Sequence, residues 1–347
     1  MPISSKAREI LNRKDLIEKR DLWFERMENV FDAKETEWSK KYVYAVNGVS
    51  AWGRHDPYTE PELWAEDCLE NLAECYEIME NENYFRPLCV EYNIYGVHYI
   101  DKILGSKVYF KDGQWYNDYL TSPIGELKYP DLDKSEVWSL TKRAIKAFLD
   151  ADVKLPLFGL PTFASVLNIA VNLYGAEILA EMLTEPENAK SDLKVINDLL
   201  CDLHSYCRET IPYRQLQPVI SWNRTQPPGY GQLCGCTTQL LSGSMYEEFI
   251  APLDDKLLAV YPKGGMIHLC GSHTQHIEVF RNMEHLRAIQ VNDRACADLK
   301  AYFEGLRDDQ IIYLNPCKEA SIDDAVKITG GKRLIIAADI SDPVLKP

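Results

Sequence analysis

Short apolar runs recur along this chain, and stretches with a helical spacing of apolar residues separate most of them. The runs predict eight strands, at residues 42–49, 87–92, 155–161, 218–221, 265–270, 287–292, 310–315 and 333–338. From residue 265 onward, each predicted strand except the last is followed by a predicted helix. Because strands that alternate with helices pair in parallel, and eight such strands can close on themselves, the pattern predicts an α/β fold of the (β/α)8 TIM barrel type.

Three segments depart from the alternation. Residues 4–32 predict an N-terminal helical segment before the first strand. Residues 93–135 predict an excursion after the second strand, with a hairpin whose turn is Asp112-Gly113. Residues 222–243, which contain Pro227-Pro228-Gly229, predict a long active-site loop, since long loops within a compact domain usually bind or cover a ligand.

The predicted strands indicate a single barrel domain over residues 1–347, with residues 41–341 as its core. Few residues follow the last strand, so no eighth outer helix is predicted. We expect the N-terminal helix or a partner chain to cover that gap, and in the second case the protein would be a homodimer.

Composition narrows the class of protein. The formal net charge of −15 argues against nucleic-acid binding, which needs a basic surface. No apolar run approaches the roughly 20 residues of a membrane-spanning helix, and residues 1–20 are polar and mixed in charge, unlike a secretory signal. We therefore expect a cytoplasmic protein whose ten cysteines are reduced thiols, some of them buried and some available to a metal.

The densest group of chemically active side chains lies in residues 264–273, a predicted strand that ends in a glycine turn. His268 and Cys270 are two residues apart, so both point to the same side at the C-terminal end of the strand. An imidazole nitrogen with a thiolate sulfur suits zinc, and chemistry in a parallel barrel occurs at that end of the strands. The alternative is a small buried cysteine beside a hydrogen-bonded core histidine.

Other predicted strand ends carry polar side chains that would face the same barrel mouth. Glu91 lies at the end of the second strand, Asn223 and Arg224 follow the fourth, and Asn292 ends the sixth. We interpret these four residues as substrate contacts. The alternative for each is a hydrogen bond that fixes a loop.

Two further groups lie near this barrel mouth. Cys234 and Cys236, in the long loop, are either an additional source of metal ligands or incidental packing. His273 and His276 begin the helix after Gly271, where we expect surface or capping residues rather than ligands.

Several separate stretches of the chain are similar to one known family. They are Pro161-Thr162-Phe163, Leu173-Tyr174-Gly175, Thr184-Glu185-Pro186-Glu187, Ser242 to Phe249 with Ala251-Pro252-Leu253, and Ile267-His268-Leu269-Cys270-Gly271. On these stretches the chain resembles the uroporphyrinogen decarboxylase superfamily. That group includes the decarboxylase itself, methylcobalamin:coenzyme M methyltransferases and the catalytic half of cobalamin-independent methionine synthase. The resemblance covers residues 150–340 well and the first 150 residues loosely.

One departure from the family indicates the branch. The stretch from Val49 to Arg54 lacks the paired arginines with which the porphyrinogen decarboxylases hold a multiply carboxylated substrate. The resemblance therefore implies the zinc-dependent methyltransferase branch, in which the His-x-Cys pair binds zinc. Here that pair is His268 and Cys270, the predicted catalytic residues.

The remaining zinc ligands follow the family less closely. The branch adds a cysteine at the end of the eighth strand, where this chain has Ile335 to Asp339 and no cysteine. The third ligand is therefore either Cys317, at the end of the seventh strand, or Asp339. An acidic family ligand after the sixth strand would correspond to Asp293, which the alternative makes a helix cap.

The resemblance implies an enzyme that transfers a methyl group from a corrinoid, either methylcobalamin or a corrinoid protein, to a small thiol. One alternative is a metal-free decarboxylase, a carboxy-lyase, in which Asn223, Arg224 and His268 bind the carboxylates of a tetrapyrrole-like or other acidic substrate. Another is a non-catalytic barrel that binds a corrinoid or a tetrapyrrole.

Overall fold

The computed structural model describes residues 3–32, 42–46, 48–50, 52–218 and 224–338. The strands in these ranges are β1 Val43–Val46, β2 Val49–Ser50, β3 Leu88–Glu91, β4 Val108–Lys111, β5 Gln114–Asn117, β6 Leu157–Gly159, β7 Leu216–Gln217, β8 Gly231–Cys234, β9 Gly265–Leu269, β10 Leu286–Val291, β11 Ile311–Leu314 and β12 Leu334–Ala338. The helices are α1 Ser5–Leu11, α2 Lys14–Phe31, α3 Pro61–Glu74, α4 Tyr99–Ile103, α5 Glu136–Asp150, α6 Val166–Tyr174, α7 Glu177–Thr184, α8 Pro186–Thr210, α9 Gly243–Met245, α10 Ala251–Leu258, α11 Ile277–Asn282, α12 Leu299–Gly305 and α13 Ile322–Thr329. The predicted N-terminal helical segment is formed by α1 and α2.

Two parallel sheets form the centre of the fold. The larger sheet has six strands in the order β1-β12-β11-β10-β9-β8, and the smaller has four in the order β2-β3-β6-β7. Leu334–Ala338 is buried at every position, which accounts for its continuous apolar sequence, since parallel strands are covered on both faces. The carboxyl ends of the strands therefore meet at one edge of each parallel sheet. The candidate site lies at this edge of the larger sheet.

A closed eight-stranded barrel is not confirmed, because backbone pairing among the described residues gives a mixed α/β fold with these two sheets. The first predicted strand belongs to both of them. β1 pairs with β12, while Val46 N donates to Phe85 O at 2.8 Å just before β3. β2 then pairs with β3, so this segment of chain connects the two sheets.

Side chains, rather than a backbone ladder, link β7 to β8 in the described part of the chain. Gln226 is fully buried, and its backbone forms two hydrogen bonds of 3.0 Å with the side chain of Gln217 on β7. Gln217 Nε2 donates to Gln226 O, and Gln226 N donates to Gln217 Oε1. Its Nε2 atom also donates to Oε1 of Gln232 on β8 at 3.1 Å. The sheets therefore meet here through three buried amides.

The segment around β7 and β8 differs from the prediction. Instead of a strand at 218–221, the structure has Leu216–Gln217, and residues 219–223 lie outside the described ranges. The predicted loop 222–243 contains β8 and a short 3-10 helix at Cys236–Leu240. Neighbouring prolines and glycines favour a loop locally, but β8 is a strand because it pairs with β9, a contact distant in sequence.

The predicted hairpin is present in the excursion. β4 and β5 pair antiparallel around Asp112 and Gly113, whose φ angles of 49° and 81° suit a tight hairpin turn. The ring of Trp115 on β5 lies 5.6 Å from that of Tyr58 and 5.0 Å from that of Tyr95. The hairpin is therefore attached by aromatic packing to the segment before α3, through Tyr58, and to the segment after β3, through Tyr95.

Helices α6 and α7 are strongly apolar, and Val166, Leu167 and Ile169 of α6 are fully buried in the core. Among the described helices, none alone has both the length and the apolar composition of a membrane span. The pair α6 and α7 reaches that threshold only jointly, with a bend of 107° between them.

Candidate metal centre

Strands β8 and β9 end side by side, and this brings the candidate ligands together. Cys234 on β8 is paired in register with His268 on β9, and Gly235 N donates to His268 O at 2.9 Å. Beyond this point β8 continues into the turn that carries Cys236, and β9 ends next to Cys270. The ligand atoms of Cys236, His268 and Cys270 all lie within 4.8 Å of one another.

Two glycines allow the turns to approach this closely. A Cβ atom at Gly235 would lie 2.9 Å from Cγ2 of Ile267 on β9, and one at Gly271 would overlap the side-chain amide of Gln239. These are the residues immediately before Cys236 and immediately after Cys270. A larger residue at Gly235 would need the side chain of Ile267 to shift, and one at Gly271 would displace the end of the Gln239 side chain.

A chain of side-chain hydrogen bonds across three strands orients His268. Gln290 on β10 is paired in register with His268, and its Oε1 accepts a hydrogen bond from Nδ1 of the imidazole. Gln290 Nε2 in turn donates to Oδ1 of Asn315, just after β11. Because Nδ1 carries the proton, the lone pair of Nε2 is available to a metal, as in other metal-binding histidines.

Burial keeps this imidazole neutral. It lowers the pKa of His268 to about 3, and the nearby positive charge of Arg224 acts in the same direction. A metal ligand must offer a lone pair, which the imidazolium form lacks. His268 is therefore in its ligating form throughout the neutral range of pH.

The two thiols of the group form a hydrogen-bonded pair. The hydrogen bond from Cys236 lowers the pKa of Cys270 to about 7, and the same hydrogen bond, together with burial, raises the pKa of Cys236. Both side chains are partly exposed, so the pair is accessible from solvent. One thiolate is therefore present near neutral pH, and a metal would displace the proton that the two sulfurs share.

These three residues fit zinc. One imidazole nitrogen and two sulfurs are a ligand set that zinc enzymes use, and three protein ligands leave the fourth tetrahedral position open to a substrate. The neutral histidine, the lowered thiol pKa and the solvent exposure all agree with such an open site. The chemistry of the donor set therefore supports a catalytic rather than a structural metal.

One solved structure that this chain resembles is a methyltransferase from Methanosarcina mazei. The two structures have a TM-score of 0.61 and 11% sequence identity, and the match covers 91% of this chain and 92% of that chain. At this identity the likeness shows a shared fold. No protein-family model matches the chain, and no curated protein sequence does, so membership of the uroporphyrinogen decarboxylase superfamily remains a prediction.

The structure brings His268 and Cys270 together, as the strand pattern predicts, and adds Cys236 to them. Cys317 lies outside this group: its Sγ is 3.5 Å from the carbonyl oxygen of Asp293, and its thiol is hydrogen-bonded to that of Cys296. Asp339, the other predicted third ligand, lies outside the described residues.

Asp293 stands beside the group and is not part of it. Its backbone has a φ of 47°, in the left-handed region, and its carboxylate accepts a hydrogen bond of 3.1 Å from Nδ2 of Asn292. The negative charge raises the pKa of Cys270 slightly against the larger effect of Cys236. Asp293 therefore acts on the site electrostatically.

The predicted substrate contacts are spread around the same edge. Arg224 lies close to the metal group, with Nη1 3.4 Å from Sγ of Cys234. Glu91 is buried at the end of β3 in the smaller sheet, and Asn292 follows β10. Asn223 lies outside the described residues. Substrate binding by these residues stays a prediction.

Sequence reasoning was incomplete for Cys236 and for two histidines. Cys236, which the sequence offers either as an additional source of metal ligands or as incidental packing, lies in the central group, and the Cys-x-Cys spacing was the signal for it. His273 and His276 were predicted to be surface or capping residues, and this is wrong, because both are fully buried. Burial lowers the pKa of each, and Nδ1 of His273 and Nε2 of His276 face backbone carbonyls.

Proposed function

We propose that this protein is a zinc-dependent methyltransferase that moves a methyl group from a corrinoid, carried by a partner protein or free as methylcobalamin, to a small thiol. The observation that carries the proposal is the cluster of Cys236, His268 and Cys270 at the ends of β8 and β9, with one neutral nitrogen and two sulfurs. The fold shared with a methyltransferase supports it.

Each residue of the candidate site would have its own role in this reaction. Cys236, His268 and Cys270 would hold the metal, and zinc bound there would supply a Lewis acid that keeps an incoming thiol in its nucleophilic thiolate form. Gln290 keeps the imidazole in the tautomer whose Nε2 faces the site. The transfer forms a carbon–sulfur bond and breaks the carbon–cobalt bond of the donor, and the proton of the thiol leaves to solvent.

Arg224 would contribute binding of the substrate. Its guanidinium lies beside Cys234 and is close enough to His268 to lower the pKa of that imidazole. A fixed positive charge next to the open metal position would attract a negatively charged group on the acceptor or the donor. Glu91 and Asn292 would make polar contacts at the same edge, and the binding geometry would bring sulfur and methyl carbon into line.

Metal content is the first measurement. We expect elemental mass spectrometry of protein purified without chelator to find about one zinc per chain, and His268→Ala to lose it, because a catalytic site with two remaining ligands binds weakly. Cys317→Ser is the matched control: it removes a thiol outside the group and should keep its metal. Methyl transfer from methylcobalamin to small thiols is then assayed in the three proteins.

The alternatives from the sequence are separated by the same experiment. Protein that takes up no zinc under reducing conditions contradicts the methyltransferase mechanism and favours the metal-free decarboxylase. Zinc uptake without methyl transfer to any thiol, combined with tight corrinoid binding, favours the non-catalytic barrel.

A further inference from the structure

The turn that carries Cys236 extends beyond the sheet. In the described residues the backbone ladder between β8 and β9 ends with the bond from Gly235 N to His268 O. On one side, Thr237 N donates to Oδ1 of Asn168 on α6 at 3.0 Å. The other side of the turn faces the segment after β9, and the position of Cys236 relative to His268 depends on that contact.

His273 lies between the two ligand-bearing turns. Its Nδ1 is 2.7 Å from the carbonyl oxygen of Gly271, directly after Cys270, and its Nε2 is 3.2 Å from that of Gly235, directly before Cys236. The backbone of His273 is itself fixed, because its N–H donates to the hydroxyl of Tyr302 at 2.9 Å. The imidazole therefore spaces the turns on either side of the metal group.

The next turn of chain holds the rest of the Cys236 segment. His276 Nε2 donates to Thr238 O at 2.9 Å, and its ring packs 4.4 Å from the ring of Tyr246. Gln275 Nε2 lies 3.3 Å from Gln239 O and 3.2 Å from Leu241 O. Side chains of residues 273–276 thus contact four carbonyl groups of the segment from Gly235 to Leu241.

We propose that His273 and His276 are positioning residues that hold Cys236 against His268 and Cys270 through the backbone of its turn. This rests on the proposed metal centre, to which it adds the residues that complete it. Neither histidine belongs to the group of ligand atoms: both ring nitrogens of His273 face carbonyl oxygens, and His276 faces Thr238 O with Nε2, while its Nδ1 makes no hydrogen bond among the described residues.

Cobalt substitution tests the proposal independently of activity. Co²⁺ bound to thiolates shows a sulfur-to-metal charge-transfer band whose intensity follows the number of sulfur ligands. We expect the double variant His273→Ala/His276→Ala, like Cys236→Ala, to lose about half of that band per bound cobalt, because one of two thiolates leaves the metal. His204→Ala is the matched control: this histidine of α8 is also buried, but its hydrogen bond is to Tyr261, which follows α10, so the variant should keep the full band.

Conservative variants separate positioning from general loss of stability. His273→Gln and His276→Gln each keep a donor near the Nε2 position, which faces Gly235 O in the first case and Thr238 O in the second. Both should retain most of the band, even where thermal unfolding shows that they are less stable than the wild type. A full band in the double alanine variant, in protein that thermal unfolding shows to be folded, overturns the proposal.

A second measurement covers the case in which the metal centre itself is wrong. In metal-free protein, alkylation of Cys236 by iodoacetamide should be severalfold faster in the double variant than in the wild type, while Cys317, outside the turn, reacts at an unchanged rate. If the wild type shows no cobalt band, the proposed function fails, and the alkylation rates still decide the positioning role. Equal rates at Cys236 overturn it, and faster alkylation in the variant supports it.

Discussion

Two thiol pairs lie after strand ends of the larger sheet, and they differ in what surrounds them. Cys236 and Cys270 share a hydrogen bond and lie beside the neutral imidazole of His268. Cys296 and Cys317 also share a hydrogen bond, and backbone carbonyls lie near both pairs: the sulfurs of Cys296 and Cys317 are 3.4 Å and 3.5 Å from carbonyl oxygens, and that of Cys236 is 3.9 Å from His268 O. Both pairs offer two sulfur ligands to a metal. Among the described residues, only the first pair has a third metal ligand close by, the imidazole of His268.

The surroundings also set the charge of each pair. The pKa of Cys270 is lowered to about 7, whereas burial and the bond to Cys317 raise the pKa of Cys296. Two cysteines near a strand end therefore form a metal site only where a neutral nitrogen completes the set and the thiols can ionise.

The largest expected effect comes from replacing Cys236, which supplies one of the two sulfurs of the group. Cys236→Ser is expected to weaken zinc binding by more than about 100-fold, beyond the roughly 10–100-fold cost of changing outer partners, whereas Cys317→Ser should stay within about twofold of the wild type. Competition with a chromophoric zinc chelator measures both affinities. Equal losses in the two variants would return Cys317 to the ligand set.

The next largest effect on zinc affinity is expected from the orientation of the His268 imidazole. Gln290→Leu removes the acceptor that fixes His268 Nδ1–H, and zinc affinity is expected to fall about 10–100-fold. Gln310→Leu is the control, since this glutamine is equally buried but donates only to the carbonyls of Phe280 and Leu286. It should lower thermal stability and leave zinc affinity unchanged. If both variants bind zinc equally well, the imidazole does not depend on Gln290.

In metal-free protein, the thiols of the two pairs are expected to ionise at different pH, which is a smaller effect. With a pKa of about 7, Cys270 becomes thiolate as the pH rises through neutrality and is protonated below it. At pH 7 it should carry roughly ten times more thiolate than an ordinary cysteine, while Cys296 remains a thiol. Mass spectrometry of iodoacetamide-treated protein between about pH 5 and about pH 9 gives the two profiles. Coinciding profiles, as expected in denaturant, would contradict the difference.

The smallest expected effect is the change in the pKa of Cys270 when a neighbouring charged residue is replaced. Asp293 raises the pKa of Cys270 and Arg294 lowers it. Asp293→Asn, which tolerates the left-handed φ of 47° at this position, is expected to lower the midpoint of Cys270 alkylation by less than about half a pH unit. Arg294→Gln should move it in the opposite direction. Shifts of the same sign would show that the backbone, rather than charge, is responsible.

The sequence predicts much of the fold where patterns are local. The strands from β9 to β12 lie close to their predicted positions because each is a continuous apolar run, and the first three are each followed by a helix. β8 was missed because Gly231–Cys234 is short and follows two prolines, and its structure depends on β9. Pairing between strands distant in the sequence also decides how the sheets join, so it could not be read from local periodicity.

The same limit applies to the site. His268 lies on β9 and Cys270 directly follows its last residue, so the alternation of side chains along a strand is enough to predict that both point to one side. The third position needs the register between β8 and β9, which the sequence does not contain. The surface role predicted for His273 and His276 failed for a related reason: their burial arises from the turn at Cys236–Leu240, which packs on them from a different part of the chain.

The pairing of β8 with β9 means that the metal can bind only at a late stage of folding. Cys236 and His268 are 32 residues apart, and the crossover through α10 must dock before they meet. Contacts of this kind form after local helices and turns, because the intervening chain has to be ordered first. A newly made chain would therefore pass through a stage with its thiols uncovered and its histidine unplaced. The onset of zinc binding during refolding would mark the moment at which this edge of the sheet is complete.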